Sequence, residues 1–435
     1  MGASMFADAS PAVSVIVPVY NSSRTIRQCF DSLTHQTLDD FEVIAVDDGS
    51  RDESTSIVEE YRKGDSRFSL MRQENAGPGA ARNVGLDAAR GKYVLFVDAD
   101  DWVDSTLLEK AVSRAEGLCA DVVIWDAWLE NERTGERCLS ARVRIDRCDP
   151  SVSRRSNPYI LFQSFQNWPW NKLFLRSFLE ENDIRFQDDL RHTEDLLFTD
   201  KALACARLIT GIPEALSHYR IGQNASAMSR TDESPLDFYR ALRALRVWLI
   251  EQGLYGELRF SYAEWAVVTC MTNLRLFRTH EAYCLAFGFL QSEGLEHLGL
   301  LSPENRQLLA PWMREEIAAI KLLDADVYLH RAFSATFRML EDTEVCAGNR
   351  WLACQDADRR IKEACTACAE AESAAKELAE SVESYRERLK CEEEALAGNR
   401  RELAEIQASY AWRIGRAICW LPAKVRSLFR NTFRR

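Results

Sequence analysis

Two aspartates one residue apart, Asp98 and Asp100, close a short apolar run, Tyr93 to Val97, and another pair, Asp47-Asp48, closes Phe41 to Val46. Carboxylates so placed suit the handling of phosphate. A diphosphate leaving group is strongly negative, and a hard divalent cation held by carboxylate oxygens neutralises it. Taken alone, Asp98-Ala99-Asp100 is a weak sign. Acidic residues also gather at helix N-termini, where the dipole favours them, and Asp104 stands just ahead of a helical pattern. Further acidic and basic residues in the same stretch decide which reading holds.

The elements that must position these carboxylates are legible. Val13 to Val17 is a β-branched apolar run, the pattern of a strand buried on both faces, and Pro18 is expected to end it. Ser23 opens an amphipathic helix with Ile26, Phe30 and Leu33 at helical spacing. Phe41 to Val46 reads as a second strand, Glu53 to Tyr61 as a helix, Phe68 to Met71 as a short strand, Ala80 to Ala89 as a helix and Tyr93 to Val97 as a strand. Strands alternating with helical crossovers predict an α/β sheet of parallel type, covered on both faces. In such sheets ligands bind beyond the carboxyl ends of the strands. Here those ends are Tyr20-Asn21, Asp47-Asp48 and Asp98-Ala99-Asp100-Asp101, so the acidic groups are sent to one edge.

Four segments occur in order: Val13 to Asn21, Asp47-Asp48-Gly49-Ser50, Asn75 to Gly85 with its Ala-Arg-Asn core, and Phe96 to Trp102. Together they resemble glycosyltransferase family 2, inverting enzymes with a GT-A fold, a Rossmann-like nucleotide-sugar-binding domain. The resemblance covers about the first half of the chain. It continues into Trp170-Asn171-Lys172-Leu173-Phe174 and His192-Thr193-Glu194-Asp195, which look like the acceptor-side portion of that family. It implies that Pro18, Tyr20 and Asn21 line the nucleotide pocket and that Asp47, with Asp48 beside it, accepts hydrogen bonds from the base. It further implies that Arg82 helps hold the sugar nucleotide, that Asp98 and Ala99 contact the donor, that Asp100 ligates Mn²⁺ or Mg²⁺, and that Asp195 is the general base. The chemistry agrees. A hydroxyl attacking opposite a departing diphosphate needs one carboxylate for its proton and a cation for the leaving group, at two separated acidic centres. His218, in His218-Tyr219-Arg220 at a strand end, is a candidate third metal ligand, although a lone histidine is more often structural. Gly77-Pro78-Gly79 lacks the third glycine of a dinucleotide loop, where Arg82 stands, and reads as a turn opening a helix.

Beyond this GT-A catalytic domain, placed at 11–235, the pattern turns helical, and 236–345 reads as an accessory domain to which no chemistry is assigned. Cys354, Ile361, Cys368, Ala375, Val382, Leu389, Leu396, Leu403 and Tyr410 recur every seven residues, predicting a coiled coil over 350–410 and self-association into a homo-oligomer. The tail, 411–435, carries Arg413, Arg416, Lys424, Arg426 and Arg430 interleaved with Trp412 and Trp420, a basic amphipathic pattern suited to an anionic membrane surface. A net charge of −12 argues against nucleic acid as a partner of the whole chain. Thirteen cysteines without paired spacing, no secretory leader and no apolar run of about 18 residues suggest a reducing cytoplasm, with peripheral contact at the inner face of the plasma membrane. Cys365-Thr-Ala-Cys368 sits in a helical stretch with no second pair, a weak zinc sign.

The expected activity is metal-dependent, inverting transfer of a sugar from a nucleotide-diphosphate sugar, UDP-sugar foremost, to a hydroxyl of a glycan or lipid-linked acceptor. The setting would be cell-surface polysaccharide or glycoconjugate synthesis. Two other classes compete. A nucleotidyltransferase of related fold would need a Gly-rich basic loop near the N-terminus, and Tyr20-Asn21-Ser22-Ser23-Arg24 is not one. A non-catalytic coiled-coil assembly protein would not need both Asp100 and Asp195.

Overall fold

The structure, a computed structural model, describes residues 10–140, 151–221, 231–329 and 331. The chain divides into two compact units, Met1–Ala325 and Asp326–Arg435. The heptad stretch 350–410 and the basic tail 411–435 lie outside the described residues.

The first unit opens with strand–helix alternation: β1 (Val13–Val19), α1 (Ile26–Thr34), β2 (Phe41–Asp47), α2 (Ser54–Gly64), β3 (Phe68–Arg72), α3 (Pro78–Ala88) and β4 (Tyr93–Phe96). β1 lies between β2 and β4, with β3 beyond β2, and all four run parallel. β1 is buried along its length except at Pro18, and β2 is buried throughout, which is why both read as runs apolar but for Ser14 and Glu42. Chain order reverses at β1, so a crevice opens there beyond the carboxyl ends of β1 and β4.

Pro18 does not end β1. The strand continues to Val19, paired with Asp47 of β2. The Ile16 carbonyl accepts from Val97 N, and the Val19 carbonyl, on the other edge, accepts from Asp48 N. Alternation therefore puts the N–H that Pro18 lacks on the β4 side, where β4 has already ended at Phe96. The missing donor costs the ladder nothing.

Beyond β4 the sheet becomes mixed, an arrangement that the regular alternation of the first half does not foretell. In chain order come β5 (Trp102–Val103), α4 (Leu107–Leu118), β6 (Val122–Asn131), β7 (Arg137–Leu139), α5 (Leu161–Ser164), β8 (Lys172–Leu175), α6 (Arg176–Glu181), α7 (Glu194–Cys205) and β9 (Ile209–Ile221). The nine-stranded order is β3-β2-β1-β4-β8-β6-β9-β5, with β7 paired to β6. β8 runs antiparallel to both β4 and β6, and β5 antiparallel to β9. Helices follow: α8 (Asp237–Glu251), α9 (Tyr255–Leu276), α10 (His280–Phe289), a π-helical turn at Leu290–Gly294, α11 (Leu295–His297), α12 (Pro303–Leu308) and α13 (Pro311–Leu322). They belong to the same compact unit as the sheet. Among the described residues no helix is long and apolar enough to cross a membrane.

At the amino end of β1 a buried polar knot fixes the strand. Ser14 Oγ donates to Glu42 Oε1 at 2.7 Å and accepts from Gly91 N at 2.8 Å and Arg90 N at 3.1 Å. Gly91 is a place where backbone meets backbone: a Cβ there would lie 2.4 Å from Ser14 N and 2.7 Å from the Val13 carbonyl carbon. Neither atom can yield without moving the central strand. Gly91→Ala is expected to destabilise the unit by about 2–3 kcal/mol, a fall in Tm of several degrees. A calorimetric Tm within 1 °C of wild type (about 0.3 kcal/mol) would show that the knot relaxes freely.

Candidate active site

A cavity of about 1230 Å³ opens over the carboxyl ends of β1 and β4. It exceeds the roughly 300–1,000 Å³ of a typical small-molecule pocket, leaving room for two substrates side by side. Pro18, Tyr20, Asn21, Asp48, Arg82, Asp98, Ala99, Asp100 and Asp195 all line it. Asp47 and His218 are not among the described residues that do.

The β1 end contributes Tyr20, an exposed residue (43%) that lines the cavity. Asn21 follows at φ 48, its side-chain oxygen accepting from Arg51 N at 2.8 Å. Asp47 turns away from the cavity into its own loop, accepting from Ser50 N at 3.0 Å and Thr55 Oγ1 at 2.5 Å. Asp48 lines the cavity beside the β1 end. Its carboxylate accepts from Gln73 Nε2 at 2.7 Å, Ala76 N at 2.8 Å and Gly77 N at 2.9 Å, which sets the turn that starts α3.

Three segments far apart in sequence meet at Arg82. From the first turns of α3 its guanidinium donates to Asp98 Oδ1 and Glu194 Oε1, both at 2.7 Å, and lies 5.3 Å from the Phe186 ring centre. Arg82 is 6% exposed, and despite that burial the carboxylates of Asp98 and Glu194 hold its proton more firmly than usual. The pair Glu194-Asp195 occupies the first turn of α7, where a helix N-terminus favours negative charge. Asp195 accepts from Asn167 Nδ2 at 3.3 Å. Burial, reinforced by the charge of Glu194, pushes its carboxyl well above the usual range while Arg82 pulls the other way.

The β4 end carries Asp98-Ala99-Asp100-Asp101. Burial and the neighbouring charge of Asp98 raise Asp100 to about 6. The three carboxylates of this turn, Asp98, Asp100 and Asp101, leave a demand for positive charge. Part is met by Arg220, near the end of β9. Its Nε donates to the Asp100 carbonyl and its backbone N to Asp101 Oδ1, both at 2.8 Å, and the guanidinium lies 4.8 Å from the Trp102 ring centre. His218, two residues earlier, pairs through Nδ1 with Glu130 at 2.8 Å and stacks on Trp102. It does not line the cavity, although the next two residues of β9, Tyr219 and Arg220, do. Among the described residues no three His, Cys, Asp or Glu side chains are grouped to hold a metal ion by themselves.

Of the five non-glycine residues with positive φ among the described residues, Asn21, Gln166 and Thr193 line the cavity. Backbone strain tends to collect where geometry is held for function. Two contributions were not foreseen from sequence. One is the stretch Gln166 to Pro169, with Asn167 and Trp168, just ahead of the Trp170–Phe174 segment. The other is a face of α9: Trp265, Val268, Thr269, Thr272, Asn273 and Leu276 recur at helical spacing and wall the cavity. Trp265 Nε1 donates to Asp200 Oδ2 at 2.9 Å, tying α9 to α7 beside the Glu194-Asp195 turn.

Comparison with known proteins agrees with this geometry. A family profile described as "Glycosyl transferase family 2" matches residues 14–181. The chain is 34% identical over 224 residues to the uncharacterized glycosyltransferase EpsJ of Bacillus subtilis (strain 168), covering 49% of this chain and 62% of that protein. It is 32% identical over 234 residues to the uncharacterized glycosyltransferase YibD of Escherichia coli (strain K12), covering 52% and 67%. The crystal structure of Staphylococcus aureus TarS 1-349 in complex with UDP-GlcNAc superposes with a TM-score of 0.56 at 26% identity, over 73% of this chain and 89% of that one. The chain spans less than two thirds of several curated relatives, 62% of EpsJ and 41% of full-length TarS. The fold of the parallel half, the carboxylates at its strand ends and the sequence match all fall on the same stretch: the chain belongs to glycosyl transferase family 2.

Proposed function

We propose that this chain transfers a sugar, with inversion, from a nucleotide-diphosphate sugar to an acceptor hydroxyl. A UDP-sugar is the donor favoured by the UDP-GlcNAc complex of TarS. The observation that carries the reading is one cavity, lined by Asp98 and Asp100 from the end of β4 and by Asp195 from the start of α7, with room for donor and acceptor together. Tyr20, with Pro18 and Asn21, offers a face and polar edges to the base. Asp47 supports that wall from behind through Ser50 and Thr55, as a positioning residue.

A divalent ion, Mn²⁺ or Mg²⁺, fits Asp100 with Asp98 nearby. Mg²⁺ commonly takes one or two carboxylates and completes its shell with substrate phosphate and water, so two acids suffice. Such an ion would offset the charge developing on the departing diphosphate. The chain's own residues do the rest. Arg82 holds Asp98 and Glu194 in place, and Asp195 takes the proton of the attacking hydroxyl. Its raised affinity for a proton suits a base that works near neutrality. The acceptor is a glycan or lipid-linked hydroxyl, whereas TarS is named for transfer to a different polymer, poly(ribitol-phosphate).

The test is release of nucleoside diphosphate from a panel of sugar nucleotides by the purified full chain with Mg²⁺ or Mn²⁺. Turnover of one donor is expected, lost on chelation and in Asp100→Ala. Failure to bind any sugar nucleotide with either ion present would sink the proposal.

A further inference from the structure

Trp168, Trp170 and Tyr219 form a cluster in the cavity wall. Ring centres of Trp168 and Tyr219 lie 4.8 Å and 5.0 Å from that of Trp170, and the three planes are within 17° of one another. Trp168 and Tyr219 are themselves only 6.2 Å apart. Rings stacked on opposite faces of a third would be separated by at least about 7 Å, twice a van der Waals contact of ~3.5 Å. The two therefore lie side by side on one face of Trp170. Trp170 is the buried backing, 6% exposed, and the other two are the half-buried paving.

The paving is anchored with care. Lys172 is fully buried, and its ammonium donates to the carbonyls of Phe165 at 2.9 Å, Gln166 at 3.0 Å and Trp168 at 2.7 Å. That cation fixes the backbone of the loop bearing Trp168. The residue before it, Asn167, donates to Asp195. The flat aromatic floor and the carboxylate that takes the acceptor's proton are thus set by one short piece of chain.

We propose that Trp168 and Tyr219 are the floor of the acceptor subsite, and that they select an acceptor whose reacting hydroxyl sits on a pyranose ring. The proposal rests on the glycosyl-transfer reading and names its acceptor class. One side of a pyranose presents a patch of C–H groups, which carry partial positive charge and meet the negative face of an aromatic ring. Two coplanar rings give that patch a surface to lie on. An acyclic polyol phosphate, the acceptor type named for TarS, has no flat face to offer.

The full chain, saturated with UDP and Mg²⁺, is titrated with a panel of methyl pyranosides and with ribitol 5-phosphate, followed by calorimetry or ligand-observed NMR. At least one pyranoside is expected to bind, Trp168→Ala weakening it about tenfold and Trp168→Phe restoring most of the loss. UDP binding by each variant reports that the cavity is folded. Absence of pyranoside binding while UDP binds overturns the proposal. So does binding of ribitol 5-phosphate at least as tight as that of the best pyranoside, or pyranoside binding unchanged by Trp168→Ala. Wild-type chain that binds no UDP is a different result: it defeats the transferase reading and this proposal with it.

Discussion

Asp195→Asn is expected to lower kcat for transfer by about 10²–10⁴-fold, the range assigned to a positioned general base, while leaving sugar-nucleotide affinity within a fewfold of wild type. The substitution keeps the shape of the side chain and still accepts from Asn167. It removes a negative charge packed against Glu194 and near Asp98, with Arg82 as the compensating cation. Folding should therefore not suffer, and Tm is expected to hold or rise. Steady-state release of nucleoside diphosphate with acceptor present, beside donor titration of the same preparation, separates the two quantities. A kcat within threefold of wild type would remove Asp195 from the mechanism. The pH profile gives an independent check. The base must be unprotonated, and burial raises its pKa. Acid-side loss of kcat/KM is thus expected to begin well above the ordinary aspartate value of about 3.9, with activity kept at higher pH. In Asp195→Asn that limb should vanish from the residual rate.

Arg82→Met is expected to damage both fold and site. It leaves Asp98 and Glu194 facing one another in a buried space without the cation that bridges them at 2.7 Å on each side. Breaking a buried ion pair by removing one partner costs about 3–5 kcal/mol, a fall in Tm of roughly 6–15 °C. Removing the two charges as well, in Arg82→Met with Asp98→Asn and Glu194→Gln, is expected to recover part of that loss. Arg82→Lys keeps the charge but not the two-armed geometry, and should fall between. Melting curves of the single and triple variants decide the matter, and an equal deficit in both would show that packing on Phe186, not charge, is what Arg82 supplies.

The parallel half was legible because buried central strands leave runs that are apolar but for Ser14 and Glu42. Val13 to Val17, Phe41 to Val46 and Tyr93 to Val97 each fall on a strand, whose observed ends are Val19, Asp47 and Phe96. Strand ends alone do not reveal which acidic side chains turn inward. Asp47 and Asp48 are neighbours, yet one serves its own loop and the other lines the cavity. The bridge from Arg82 to Glu194 crosses 112 residues and depends on how α7 meets α3, which no local pattern encodes. His218 drew notice as a lone histidine at a strand end, but β5–β9 pairing sets it opposite Trp102. The α9 wall escaped for a different reason. That helix is buried on several sides, so its polar cavity-facing positions do not stand out as an amphipathic stripe.

The same α9 wall bears on how such a protein can diversify. Its cavity-facing residues, Trp265 to Leu276, lie beyond residues 14–181, the stretch that matches the family. One side of the cavity is thus written in the strand ends, where a change disturbs the sheet, and the other on a helix face whose turns can be rewritten singly. Lineages or laboratory libraries can reshape that cavity by editing every third or fourth residue of α9 while the strand ends stand unaltered.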